Sequence, residues 1–239
     1  FKVICTNVLD EQGRLPHNII TSYIKKIEGT RIMFVAATAP FTPFYRALDW
    51  IVTDPLAAIK DEINAHQGEY DILIVMSHVG IFFDEKLCQE IPEIDVIFGS
   101  HTHHHFDNGE MNNGVLMAAA GKYGYYLGEV NITIEHGKII DKRAKLHLVD
   151  SLPEVATHFE EEGKKLLCEP VIDHHVNLIK KTDVITETSY LLAESVFEFT
   201  HADCAIINAG LIVNGIEADR VTEYDIHRML PHPINVVRA

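Results

Sequence analysis

The 239 residues include 47% hydrophobic side chains, a level that supports one large core or two modest ones and excludes a disordered chain. Asp and Glu number 35 against 20 Lys and Arg, and the formal net charge of −15 excludes a surface built to neutralise the phosphates of a nucleic-acid duplex. An anionic substrate would have to meet positive charge from another source, such as a pair of metal ions.

In chain order, residues 1–8 read as a strand, so the fold is expected to be entered partway through. A turn-rich stretch follows from Asp10 to Asn18, then a buried strand over 31–37. Asp54-Pro55 opens a helix with Leu56, Ile59 and Ile63 on one side and Gly68 beyond its end. The continuous apolar run Ile72-Leu73-Ile74-Val75-Met76 predicts a strand covered on both faces, and Ser77-His78-Val79-Gly80 follows it directly. Leu87, Cys88 and Ile91 predict a helix over 84–91, and Val96-Ile97-Phe98 a further strand that runs into Gly99-Ser100-His101-Thr102-His103. The whole is a β-α-β unit with both histidine segments at carboxyl ends of strands, where open α/β sheets place their ligands.

Beyond it the pattern predicts a strand over 115–120, then a hairpin of 127–134 and 138–148 with His136-Gly137 as a two-residue turn. The strand-rich pattern stops near Asp150-Ser151-Leu152-Pro153, the best boundary, and a charged helix over 154–169 runs up to Pro170. An amphipathic helix over 186–199, a strand over 204–207, and a short helix opened by the capping box Thr222-Glu223-Tyr224-Asp225 and stopped at Pro231 complete the chain. No internal repeat is present. No apolar run approaches the roughly 20 residues of a membrane span, and no signal peptide is visible. Cys5, Cys88, Cys168 and Cys204 lie far apart and read as buried small hydrophobes, neither a thiolate zinc site nor a disulfide framework; unpaired thiols lean the compartment towards the cytoplasm.

The chemistry concentrates in His78, His101 and His103. Neutral imidazole ligates zinc-like and manganese-like divalent ions, at about 2.0 to 2.1 Å for zinc. Adjacent strands lie about 4.8 Å apart, so histidines leaving two strand ends can close on one ion. In an extended His-x-His the two residues face the same way about 6.6 Å apart, which suits one ion, or two ions roughly 3.5 to 4 Å apart. Of the remaining members of the 15 histidines, His104 and His105 flank the run, His232 reads as a turn residue, and His17, His66, His136, His147, His158, His174, His175, His201 and His227 read as surface or capping residues.

The pattern Ile74-Val75-Met76-Ser77-His78-Val79-Gly80, then Ile94-Asp95 through Gly99-Ser100-His101-Thr102-His103, then Ala120-Gly121-Lys122-Tyr123-Gly124 and Leu127-Gly128, resembles the calcineurin-like metallophosphoesterases in their 5'-nucleotidase branch. The likeness continues in Ala205-Ile206-Ile207-Asn208-Ala209-Gly210, similar to the nucleotide-binding strand and loop of the nucleotidase C-terminal domain, and in the segment from Asp225 to Asn235. The resemblance implies an α/β chain: part of a metallophosphatase-type β-sandwich flanked by helices over 1–149, a helical linker over 150–185, and part of a smaller α/β nucleotidase domain over 186–239. It implies a hydrolase of nucleotides or other small phosphoesters with two divalent metal ions, Zn, Mn or similar, His78 and His101 on one and His103 on the other. The metals would meet the phosphate, and Asn208 and Gly210 would touch the nucleoside end of the substrate.

The departures are equally specific. The family's N-terminal Asp-x-His, Gly-Asp and Gly-Asn-His motifs do not occur, and the usual catalytic dyad is expected upstream of Phe1. Val213 stands where nucleotidases often carry a substrate-binding arginine. Taken alone, this stretch is expected to hydrolyse little. The competing expectation is a truncated or degenerate module of the same fold without catalysis. A serine hydrolase is excluded because Ser77 and Ser100 lack a Gly-x-Ser-x-Gly elbow; a His-x-His amidohydrolase barrel is a rival, disfavoured because the motif lies mid-chain and not near a first strand of eight, and because a hairpin follows it.

Overall fold

The computed structural model describes residues 2–135, 137–152, 158–178 and 187–231. It divides into two compact units, Phe1–Pro153 and Glu154–Ala239. His136, Thr186, His232, residues 154–157 of the predicted charged helix and residues 179–185 of the predicted linker lie outside the described residues.

The first unit runs β1 (Val3–Ile4), β2 (Val8–Asp10), β3 (Ile19–Ile20), β4 (Ser22–Ile27), β5 (Thr30–Thr38), α1 (Thr42–Ala47), β6 (Trp50–Val52), α2 (Pro55–Ala65), β7 (Ile72–His78) and α3 (Ile81–Glu90). It continues with β8 (Val96–Gly99), β9 (Glu110–Asn112), β10 (Val115–Ala118), β11 (Tyr126–Glu135) and β12 (Lys138–Leu148). Six strands form one sheet in the order β4-β5-β7-β8-β10-β9. β5, β7, β8 and β10 are parallel to their neighbours, while β4 and β9 pair antiparallel at the two edges.

Both faces of this sheet are covered, which is why β7 reads as an unbroken apolar run rather than an alternating one. Leu73 and Val75 pack with Ile59 and Ile63 of α2 and Leu87 and Cys88 of α3. Ile72 and Ile74 point the other way, beneath Val130 and Ile132 of the β11–β12 hairpin and Ala144. α2 begins where the sequence places it, the Asp54 carboxylate accepting the Ala57 N–H at 2.8 Å and Pro55 occupying its first turn, whereas α3 starts at Ile81, three residues before the expected 84–91.

The opening segment departs from the single predicted strand. It breaks into β1 and β2, which pair with β3 and β6 in separate small sheets. The break falls at Asn7, a fully buried residue whose carboxamide accepts the Thr38 N–H at 2.9 Å and donates to the Thr38 carbonyl at 2.9 Å and the Thr53 carbonyl at 3.2 Å. A side chain that satisfies backbone groups on two other segments takes the place of continued ladder pairing.

In the second unit, α4 (His158–Leu166), β13 (Pro170–Ile172), β14 (Val176–Leu178), α5 (Glu187–Thr200), β15 (Ile216–Ala218), β16 (Val221–Thr222) and α6 (Glu223–Met229) surround a small cluster of Ile212, Ile216, Val221 and Met229. The predicted strand over 204–207 does not form: among the described residues the segment has no ladder partner, and Ile206 is 93% exposed. Its β-branched run lacks a sheet edge to join, and propensity without pairing does not make a strand. Among the described residues, no helix is long and apolar enough to cross a membrane.

Candidate functional site

Parallel register brings the two histidine segments together. β7 and β8 run side by side with Ser77 opposite Gly99, and β5 carries Thr38 opposite His78. His78 therefore leaves the end of one strand next to the segment that leads out of β8 into His101. The two rings meet edge to face, with centroids 5.2 Å apart and planes at 63°. Phe41, just before α1, also lies against His101, with ring centroids 5.4 Å apart. Ser100 Oγ lies 3.1 Å from His78 Nδ1. In the tautomer whose Nδ1–H donates to that hydroxyl, the Nε2 lone pair is left free, the arrangement that outer partners impose on metal-ligating histidines.

Loss of hydration, reinforced by the charges of His101 and His103, holds His78 below the ordinary histidine value. A neutral imidazole is the ligating form, so the cluster favours the state in which it could take a cation.

The segment after β8 is not the extended His-x-His expected. His101 and His103 both have left-handed backbone, at φ 70° and 56°. The Thr102 N–H donates to the Ser100 carbonyl at 2.9 Å, closing a tight turn, and the Thr102 hydroxyl accepts the Ile81 N–H at 3.1 Å. That N–H is one of the first donors of α3, which have no partner within the helix. The loop is thus anchored on the helix that joins the two strands. His104 Nδ1 lies 2.9 Å from the same hydroxyl. Strained non-glycine backbone of this kind costs on the order of 1–3 kcal/mol per residue and is concentrated at functional sites.

Gly80, which opens α3, has φ 111°, and a Cβ there would lie 2.9 Å from Thr102 Cγ2. Glycine is needed both for the backbone angle and for the approach of the loop. Asn7, Thr102 and Gly80 are the supporting residues that sequence reasoning missed; Gly80 alone carried a signal, as the last residue of Ser77-His78-Val79-Gly80.

His105 packs against Tyr126, with ring centroids 4.4 Å apart and planes tilted by 59°, and faces Asp107 at 3.6 Å. His66 sits between Glu62 and Glu69, His147 against Glu129 and His175 against Asp219, all as paired surface groups. No cysteine, aspartate or glutamate joins the central histidines: among the described residues no group of three or more His, Cys, Asp or Glu side chains comes together as a metal cluster. As a fit for a divalent ion, the neighbouring rings of His78 and His101 supply two imidazoles, His103 does not complete a group of three with them, and the pair falls short of the four donors of a zinc shell.

In the second unit the Asn208 carboxamide oxygen accepts the Gly210 N–H at 2.9 Å, and the Asn208 carbonyl accepts the Leu211 N–H at 3.0 Å. This is an Asx turn, so that oxygen is used in shaping its own loop. The Val213 N–H donates to the Met229 carbonyl at 2.8 Å, which fastens the loop's far end to α6.

No protein-family model matches the chain. It is 36% identical over 247 aligned positions to an uncharacterized metallophosphoesterase of Bacillus subtilis (strain 168), an alignment that covers 99% of this chain and 54% of the relative. It is 24% identical over 180 positions to a 5'-nucleotidase of Diplobatis ommata, covering 63% of this chain and 30% of that one. In fold it is similar to a 5'-nucleotidase precursor from Thermus thermophilus, with a TM-score of 0.63, 19% identity, and coverage of 97% of this chain and 53% of that chain. The chain thus spans about half the length of its Bacillus relative, and its homologues are a metallophosphoesterase and a 5'-nucleotidase.

Proposed function

We propose, for a chain that resembles the 5'-nucleotidase branch of the calcineurin-like metallophosphoesterases in sequence and in fold, that it carries the histidine part of a divalent-metal site in a phosphoester hydrolase acting on nucleotides. His78, His101 and His103 are the residues that would hold the ions. The observation that carries the reading is the meeting of His78 and His101 at 5.2 Å, from the carboxyl ends of neighbouring parallel strands. Bound divalent ions supply Lewis-acid charge on phosphoryl oxygens and lower the pKa of water.

The chain's own contribution is orientation. Ser100 fixes the His78 ring, Phe41 backs the His101 ring, and Thr102 ties the loop to α3. The depressed basicity of His78 keeps it neutral near pH 7, ready to ligate. Asn208 and Gly210 are proposed to contact the nucleoside through the outer face of their turn, since its inner hydrogen bond is already made. With only the His78 and His101 rings in contact and no group of three or more His, Cys, Asp or Glu side chains among the described residues that could hold an ion, these 239 residues alone are expected to bind metal weakly and to turn over little substrate.

The test is His101→Ala in the full-length protein, with Zn²⁺ and Mn²⁺ binding measured by calorimetry and hydrolysis measured on p-nitrophenyl phosphate and a nucleotide panel. Loss of metal together with a fall in rate of at least about 100-fold is expected. Unchanged metal content and rate would end the assignment, and metal binding without hydrolysis of any substrate by the parent would point to the non-catalytic module.

A further inference from the structure

One buried ionisable group beneath the histidines plays no part in that reading. Asp84 lies on the first turn of α3 and is 2% exposed. Its carboxyl faces the Ser77 side chain, and burial, partly offset by that hydroxyl, pushes it up to about 7. Its Oδ1 has no hydrogen-bond partner among the described residues. The carboxyl also lies over Gly99: a Cβ built on that glycine would stand 2.6 Å from Asp84 Oδ2, closer than real contacts allow.

The two residues it touches are not arbitrary. Ser77 immediately precedes His78. Gly99 immediately precedes Ser100, whose hydroxyl meets His78 Nδ1, and stands two before His101. Ser77 and Gly99 are register partners across β7 and β8. A single side chain from the connecting helix therefore rests on both strand ends from which the histidines leave. Burying a carboxyl with an unsatisfied oxygen and no facing cation is costly, and an apolar residue packed beside Leu87 and Cys88 would avoid that cost. Among the described residues, the groups found against it are Ser77, Gly99, Cys88 and Glu85, none of them positive.

We propose that Asp84 is a positioning residue that sets the separation of His78 and His101 by bracing the Ser77 and Gly99 strand ends from beneath. The inference rests on the assignment of those histidines to a metal site. Gly99 is the second half of the device, because only a residue without a side chain leaves room for the carboxyl.

The full-length protein tests this with Zn²⁺ alone as the probe, read by calorimetry, and with the imidazole resonances of the metal-free protein read by NMR. Asp84→Ala and Gly99→Ala should each weaken Zn²⁺ affinity by about 10-fold or more, the usual scale for groups that orient ligands. Both should move the His78 and His101 ring resonances while leaving His147, paired with Glu129 elsewhere, in place. Asp84→Asn keeps the shape and the Ser77 contact and should restore affinity to within about 3-fold. Joining Asp84→Ala to Gly99→Ala should recover affinity over Gly99→Ala alone, since the new methyl enters the space the carboxyl vacates.

Unchanged affinity and unchanged resonances in Asp84→Ala would overturn the proposal, as would a double variant that loses the full sum of the two single losses. Should Asp84→Ala fail to fold, Asp84→Asn and Gly99→Ala carry the same comparison. If His101→Ala binds Zn²⁺ as the parent does, the metal assignment falls, while the ring resonances still report whether Asp84 sets the histidine geometry.

Discussion

The histidine cluster and the Asn208 turn sit on very different supports. In the unit Phe1–Pro153 a six-stranded sheet is packed on both faces, with Leu73, Val75, Ile59 and Leu87 on one side and Ile72, Ile74, Val96 and Leu116 on the other. In the unit Glu154–Ala239 the described core is Ile212, Ile216, Val221 and Met229, and Phe199 and Ile206 stay 84% and 93% exposed. His78 is therefore placed by ladder register, and His101 by a loop two residues beyond Gly99 that is tied to α3, on strands that cannot shift without disturbing both layers. Asn208 is placed by a hydrogen bond two residues long. A site that must hold ligands to within about 0.5 Å belongs on the first kind of support, and a loop that adapts to a ligand can live on the second.

Truncating one core residue in each unit tests that contrast most severely. Leu73→Ala removes a fully buried side chain between sheet and helices and should cost about 2–5 kcal/mol. Val221→Ala, equally buried in the small cluster, should cost roughly half as much because it deletes less apolar volume. Hydrogen exchange resolves the two: the first should lower protection in β5, β7 and β8, the second in β15, β16 and α6. Loss of protection in both units from either change would show that their cores are not separate.

The next effect in size is the pH dependence stored at Asp84. Its folded value of about 7 lies above the roughly 3.9 of an unfolded aspartate. The folded chain holds that proton more tightly, so the stabilisation is complete below about pH 4 and is lost as pH rises through about 7. The full difference amounts to at most ~4 kcal/mol. Urea midpoints of the metal-free protein between pH 4 and 8 should fall across this window, and Asp84→Asn should flatten the slope. An identical slope in the variant would place the titration elsewhere and weaken the picture of a rigid, dry floor beneath the histidines.

How much of this was legible in the sequence follows from the same contrast. β7 and β8 could be read because a doubly covered strand needs apolar side chains in succession, and the capping box at Thr222 because its spacing is local. β4 and β6 could not: Ser22–Ile27 and Trp50–Val52 expose side chains and owe their strand character to partners in β5 and β2 that no local pattern announces. The approach of His78 to His101 followed from one β-α-β unit. The left-handed turn at His101 and His103 did not, because it depends on Thr102 reaching back to the Ile81 N–H, and Asp84 under Gly99 is a contact between residues 15 apart whose only trace is the glycine.

Local and tertiary signals can also be separated by smaller effects in the second unit. The Thr222 N–H and hydroxyl both donate to Asp225 Oδ2 at 2.8 Å, so Asp225→Ala should destabilise α6 by about 1 kcal/mol, read as faster exchange of its own amides. The smallest change is expected at Ile206. A strand over 204–207 would bury alternate side chains, and a polar replacement at a buried position would cost about 2 kcal/mol or more. With Ile206 at 93% exposure there is no packing to lose, and Ile206→Ser should leave the unfolding midpoint within about 0.5 kcal/mol of the parent. A large loss there would mean that this β-branched run is covered in the protein in solution, and the contrast between a well-supported and a lightly supported site would have to be withdrawn.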